Sequence, residues 1–271
     1  MEISDLLNIA SEIRVAVQAY LAETPDHGMV LKIRERDVTR KIDLFAERAL
    51  ENALLSRGLC ARIISEELGD RVYPEGGEPA FTLIFDPIDG STNAALGIPL
   101  FCTSLAYAPT VEHVTFSEIT ASVVATIYGK TYYAVKGGHA WVDGTRLPAT
   151  MTGKTKRVFS IYTYGADSIP EAVLGFQKGA KDMVIRVLGS IALELCLVAE
   201  GAIDAVVDIR DLINGYDIAG AALILHEAGG VLTNLQGEEF ATEVGNAHNL
   251  SLIAALEHTM HARMHALVNS R

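Results

Sequence analysis

The chain has 271 residues, 49% of them hydrophobic, enough to bury a full core without a staple, as one compact unit or two closely packed halves. Its formal net charge of −12 argues against non-specific nucleic-acid binding, which needs a basic surface, and repels phosphate compounds unless bound cations reverse the local field. Cys60, Cys102 and Cys196 are odd in number, lack C-x-x-C spacing and have apolar neighbours, which predicts reduced thiols in a cytoplasmic protein.

Taken in chain order, Ile3, Leu6, Leu7, Ala10, Ile13, Val17 and Leu21 recur at threes and fours and predict a helix with one buried stripe. Acidic residues within it exclude a secretory signal, and the longest apolar-rich stretch, residues 97–109, is too short to span a bilayer, so a soluble protein without a membrane partner is expected. A mixed-charge run from Lys32 to Lys41 reads as a solvated face. Asp37, Thr39 and Asp43 then stand at the start of a second helical pattern through Ile42, Phe45, Ala49 and Ala53. A strand at Ala61–Ile64 precedes the acidic pair Glu66 and Glu67. A second strand, Phe81–Phe85, is bounded by Pro87, which places Asp86 at its carboxyl end.

The run Asp86-Pro87-Ile88-Asp89-Gly90-Ser91-Thr92-Asn93 sets two carboxylates three residues apart after that strand. Asp-Pro and Asp-Gly are ordinary turn formers, but an eight-residue run that follows a strand offers more than a turn. Gly90 allows close backbone approach, and the amides of Gly90, Ser91 and Thr92 would open a helix whose unpaired N–H groups favour an anion. Carboxylates bind cations and amides bind phosphate, so the run has the layout of a metal-dependent phosphate site. Its oxygen donors, without a His or Cys cluster of zinc spacing, suit Mg²⁺. His226, beside Glu227, is read as structural.

Strands are predicted at Phe101–Ala108, Ala121–Tyr128 and Thr131–Lys136, with a strand and turn at Ala140–Thr145. From Arg157 onward, strands Val158–Tyr162, Met183–Val187 and Ile203–Asp208 alternate with helices near Pro170–Gln177 and at Ser190–Ala199, and a last helix ends at Gly229-Gly230. The expected organisation is an antiparallel-rich α+β half over 1–150, carrying the metal-binding motifs, and an α/β half over 151–271, carrying Asp217 and substrate contacts.

Asp86–Asn93 resembles the D-P-[ILV]-D-G-[ST]-T-N signature of the inositol monophosphatase and fructose-1,6-bisphosphatase superfamily of sugar phosphatases. Gly215-Tyr216-Asp217-Ile218-Ala219-Gly220 with Glu227-Ala228-Gly229-Gly230 resembles its second signature, Tyr216 standing where the family usually has Trp. Ser65-Glu66-Glu67 is similar to its G-E-E, and Arg186–Ser190 with Cys196–Ala199 is similar to the stretch before the second signature.

The resemblance implies a layered α-β-α-β-α sandwich and a Mg²⁺-dependent phosphomonoester hydrolase acting by metal-activated water on inositol 1-phosphate, fructose 1,6-bisphosphate or both. It implies two or three ions per site, Mn²⁺ as a possible substitute, and a homodimer. Glu66, Asp86, Asp89, Asp217 and the Ile88 carbonyl would take the metal positions, and Ser91 would help Glu66 with the attacking water. Asp43, with Thr39 as a weaker candidate, would assist. Glu67 would serve a third metal or face solvent. Gly90, Ser91 and Thr92 amides would hold the phosphate, and Arg186, Ser190, Asp208 and Arg210 would surround the substrate. The segment Asp208–Asn214 looks closer to archaeal dual-substrate members than to animal inositol enzymes. Two alternatives share this fold: a nucleotidase acting on 3′(2′),5′-bisphosphates, and a non-enzymatic role in binding RNA polymerase or ribosome-maturation factors.

Overall fold

The stripe expected on the first helix is buried: Leu6, Ile9, Ala10, Ile13 and Val17 of α1 (Ile3–Glu23) are shielded from solvent. The structure, a computed structural model, describes residues 1–33, 38–149, 151, 153–166, 168–179 and 183–270. After α1 come two antiparallel paired strands, the exposed β1 (Val30–Ile33) and the largely shielded β2 (Val38–Arg40), then α2 (Lys41–Ser56), β3 (Ala61–Ser65), β4 (Gly69–Tyr73) and β5 (Thr82–Asp89). Of the run read as a solvated face, the part in β1 is exposed but Thr39 in β2 is buried; Asp37 lies outside the described residues. A short α3 (Ser91–Leu96) leads to β6 (Cys102–Ala108), β7 (Ala121–Thr126), β8 (Thr131–Val135), β9 (Ala140–Val142) and β10 (Thr145–Arg146).

The chain continues through β11 (Arg157–Tyr162), α4 (Glu171–Lys178), β12 (Met183–Arg186), α5 (Ile191–Glu200) and β13 (Ala205–Ile213). It ends with α6 (Gly215–Glu227), β14 (Val231–Thr233), β15 (Leu250–Ala255) and α7 (His258–Val268).

Two sheets form among the strands from β3 onward. One runs β10-β9-β8-β7-β6-β5-β3-β4, antiparallel except where β3 lies parallel to β5. The other runs β12-β11-β13-β15-β14, parallel across its first three strands and antiparallel at the last two. Three apolar clusters cement five layers. α1 and α2 pack on the outer face of the large sheet, α5 and α6 fill the space between the sheets, and α4 and α7 cover the far side of the small one. The central helices are apolar nearly all round, as a helix sandwiched between two sheets must be. Cys102 and Cys196 are buried free thiols, and Cys60 is a half-buried free thiol. No described helix is long and apolar enough to cross a membrane.

Candidate active site

β5 pairs Asp86 with Ser104 and Asp89 with Cys102 on β6, three residues against two, so a bulge falls between the two aspartates. Pro87 sits in this bulge, where the ladder needs no N–H. It does not end the strand, as its sequence position suggested; pairing resumes at Asp89. The bulge leaves Asp86 and Asp89 at one end of the sheet. Gly90 follows in the left-handed region at φ +94°, and a Cβ there would meet Gly189 O, Leu100 O and Phe101 Cβ, each at 3.1 Å. Only glycine fits a turn this crowded. Ser91 and Thr92 then open α3.

Glu66, just after β3, joins Asp86 and Asp217 in a cluster whose carboxylate oxygens lie within 4.8 Å of one another. Asp217 lies within α6, where it accepts the Asn214 amide at 2.7 Å and so anchors itself at the helix head. Asp86 is buried, and its Oδ1 has no hydrogen-bond partner among the described residues. Burial, then the charges of Asp89 and Asp217, push its carboxyl well above the ordinary range. Three hard-oxygen donors grouped around an orphaned buried carboxylate oxygen fit a divalent cation.

Asp89 stands outside this trio. Its Oδ2 accepts Ser190 Oγ at 2.6 Å, Ala192 N at 2.7 Å and Leu193 N at 3.4 Å, and its Oδ1 accepts Ile191 N at 3.1 Å. These are the unpaired amides of the first turn of α5, whose positive dipole end suits a carboxylate. Burial still pushes the Asp89 carboxyl up, against the lowering pull of these bonds.

A cleft of about 230 Å³ is lined by Glu66, Asp86, Ile88, Asp89, the Gly90–Thr92 turn, Gly189, Asp217 and a wall from the small sheet. That wall is Tyr162, Tyr164 and Arg210. The Arg210 guanidinium carbon sits 4.1 Å from the Tyr162 ring centre and 4.6 Å from that of Tyr164. Asp208, fully buried, grips Arg210 from behind through Nε at 3.0 Å and Nη2 at 2.6 Å. Tyr164 is 59% exposed at the mouth.

Of the four residues expected around the substrate, Arg210 lines the cleft. Asp208 and Ser190 are buried behind it as supports, because each spends its polar atoms on a neighbour, Arg210 and Asp89 respectively. Arg186 is exposed and absent from the cleft lining. Thr39 donates to Glu67 Oε2 at 2.5 Å, tying β2 to the acidic pair. Asp43 is buried at the head of α2, where it accepts the Arg40 amide at 2.6 Å, and it lies close enough to raise the Asp86 carboxyl. His226 is exposed near the far end of α6. Tyr162 and Tyr164 escaped the sequence reading; two aromatics at the end of the strand opening the α/β half were the available signal.

A layered α/β protein with an acidic cluster beside a glycine-hinged helix start belongs among the phosphatases. The model of the inositol monophosphatase family matches residues 4–270, and the chain belongs to that family. It is 32% identical over 270 residues to a fructose-1,6-bisphosphatase/inositol-1-monophosphatase of Methanothermobacter thermautotrophicus, covering 95% of this chain and 93% of that one. It is 29% identical over 278 residues to a bifunctional NADP phosphatase/NAD kinase of Methanococcus maripaludis, covering 98% of this chain but 49% of the relative. A solved structure described as an inositol monophosphatase-fructose 1,6-bisphosphatase superposes with a TM-score of 0.77 at 26% identity, covering 98% of this chain and all of the other.

Proposed function

We propose that the chain is a Mg²⁺-dependent phosphomonoesterase acting on both inositol 1-phosphate and fructose 1,6-bisphosphate. The observation that carries this reading is the Glu66, Asp86 and Asp217 cluster within 4.8 Å, set beside the Gly90–Thr92 turn. Mg²⁺ dependence is general in the family. Glu66, Asp86, Asp217 and the Ile88 carbonyl would hold the ions, with Asp89, which lines the same cleft while bonded to α5, a further candidate. When bound, such ions activate water and neutralise charge on the phosphoryl oxygens.

In this reading the chain's own groups do the positioning. The amides of Gly90, Ser91 and Thr92 hold the phosphate. Glu66 and the Ser91 hydroxyl orient the attacking water and draw off its proton, with Asp43 helping from behind Asp86. The Tyr162, Arg210 and Tyr164 wall meets the leaving group. Residues 1–150 would thus supply most of the hydrolytic groups, and 151–271 the leaving-group contacts together with Asp217.

The test is a panel of inositol 1-phosphate, fructose 1,6-bisphosphate, NADP⁺ and 3′-phosphoadenosine 5′-phosphate, assayed with Mg²⁺ and after chelation. Hydrolysis of the first two that chelation abolishes and Mg²⁺ restores is expected, and full turnover by metal-stripped protein would overturn the reading. A nucleotide substrate is the second reading, favoured by the exposed Tyr164 ring, which offers a stacking face, and by the name of the Methanococcus relative. Preference for the two nucleotides in the same panel would select it.

A further inference from the structure

Glu194 breaks the apolar run of α5 and is fully buried. An acid in that position is costly unless it is bonded. Its Oε1 accepts the Leu188 amide at 2.6 Å and the Ser160 hydroxyl at 2.8 Å. The Tyr162 hydroxyl also interacts with this carboxylate, and the same hydroxyl accepts the Gly189 amide at 2.9 Å. Leu188 O in turn accepts Asn93 Nδ2 of α3 at 2.7 Å, and Gly189 turns at φ +77° with its carbonyl against Gly90. Both sides of the cleft therefore rest on one buried side chain that does not itself line the cleft: the Leu188–Gly189 turn beside the phosphate side, and Tyr162, with Arg210 stacked on it, on the leaving-group side.

We propose that Glu194 is a positioning residue that holds the Leu188–Gly189 turn and the Tyr162 ring in register across the cleft. The inference rests on the phosphatase reading above. The groups facing Glu194 are Ser160 and Tyr162 of β11 and the charge of Asp89 from β5, with the Arg210 and Asp208 pair of β13 beyond Tyr162. Burial pushes the Glu194 carboxyl up to about 7, and the bonds from Leu188, Tyr162 and Ser160 pull against that rise. The ionised carboxylate accepts from Leu188 and Ser160 through Oε1, and its Oε2 is buried without a hydrogen-bond partner among the described residues, with the Tyr162 hydroxyl held to the charged group. A proton on Oε2 leaves Oε1 accepting from Leu188 and Ser160 but removes the negative charge that draws the Tyr162 hydroxyl, so acidification loosens the Tyr162 side of the arrangement first. The hold on Tyr162, and with it kcat/KM, should weaken as pH falls through about 7.

The experiment is a pH profile of kcat/KM for inositol 1-phosphate at saturating Mg²⁺, with melting temperatures alongside. Glu194→Gln keeps a carbonyl acceptor but cannot titrate, so it should fold and lose the acid limb near neutrality. Ser160→Ala removes a donor to the charged form and should move the midpoint of that limb to higher pH. Infrared titration of the wild-type protein should show a carboxylic acid band that appears on acidification through the same midpoint and is missing in Glu194→Gln. If Glu194→Gln fails to fold, the Ser160→Ala shift and the infrared midpoint decide. An unmoved acid limb in whichever variants fold, or no titrating carboxyl near neutrality, overturns the inference. A wild-type protein inactive on every ester would instead overturn the phosphatase reading.

Discussion

Asp217 and Asp89 were read alike in the sequence, as metal ligands, yet the fold spends them differently. Asp217 gives one oxygen to its own helix start and reaches Glu66 and Asp86 with its carboxylate, whereas Asp89 is wrapped by the first turn of α5. Asp217→Asn should therefore cost turnover by at least about 10²-fold, more than loss of a supporting group alone, while metal-free stability holds or rises because one charge repelling Asp86 is gone. Asp89→Ala should lower both turnover and melting temperature, with roughly 1–3 kcal/mol of stability lost as buried amides are stranded. Calorimetry in chelator beside steady-state kinetics separates the two; equal melting temperatures would contradict the assignment of Asp89 to α5. Asp86 to Asn93 was legible because its chemistry is local: bulge, left-handed glycine and helix start are consecutive in sequence. The grip of Ser190 and the α5 amides on Asp89 spans about a hundred residues of chain, and no local pattern encodes it.

At the scale of elements, β13 matters most. It pairs Asp208 with Leu252 and Ile213 with Leu250, five residues against two, so residues 209–212 bow out of the ladder and carry Arg210 and Leu212 into the cleft. Asp211, at φ +54°, is pinned there by Ser251, whose hydroxyl accepts its amide at 2.9 Å and donates to its carboxylate at 2.7 Å. The apolar run Ile203–Asp208 predicted the first half of this strand. Its continuation was hidden because Arg210 and Asp211 break the apolar pattern where the strand leaves the sheet. β14, β15 and α7 went unassigned, although Met260, Met264 and Val268 of α7 recur at fours and are buried. Arg210→Ala should reduce kcat/KM for fructose 1,6-bisphosphate at least about tenfold more than for inositol 1-phosphate, a difference of about 1.4 kcal/mol, because a second phosphate gains more than a hydroxyl from a guanidinium. Arg186→Ala, outside the cleft lining, should spare both substrates. Equal losses on the two esters in Arg210→Ala would remove Arg210 from discrimination.

For the whole molecule, the raised Asp86 carboxyl links stability to pH and metal. Its pKa in the folded protein lies well above the ordinary 3.8, so between these values the native state holds a proton that the unfolded chain has released. Without metal, the contribution of Asp86 to stability should be greatest below the unfolded value and be lost as pH rises through the native one. A cation bound to the ionised cluster offsets that loss, so the rise in melting temperature on adding Mg²⁺ should grow with pH. A Mg²⁺ increment that is flat with pH would detach Asp86 from the cation site. The order of layers also bears on how such a protein can change its diet. The groups proposed to cut the phosphate sit on or beside the large sheet and at the head of α6, while the wall facing the rest of the substrate belongs to the other sheet, with Tyr162 and Tyr164 at and just past the end of β11 and Arg210 on the bowed β13. Insertions or exchanges within residues 209–212 can therefore re-aim the catalyst toward new esters while its cutting edge stays unaltered, so the range of molecules accepted and the power to hydrolyse them are free to drift apart.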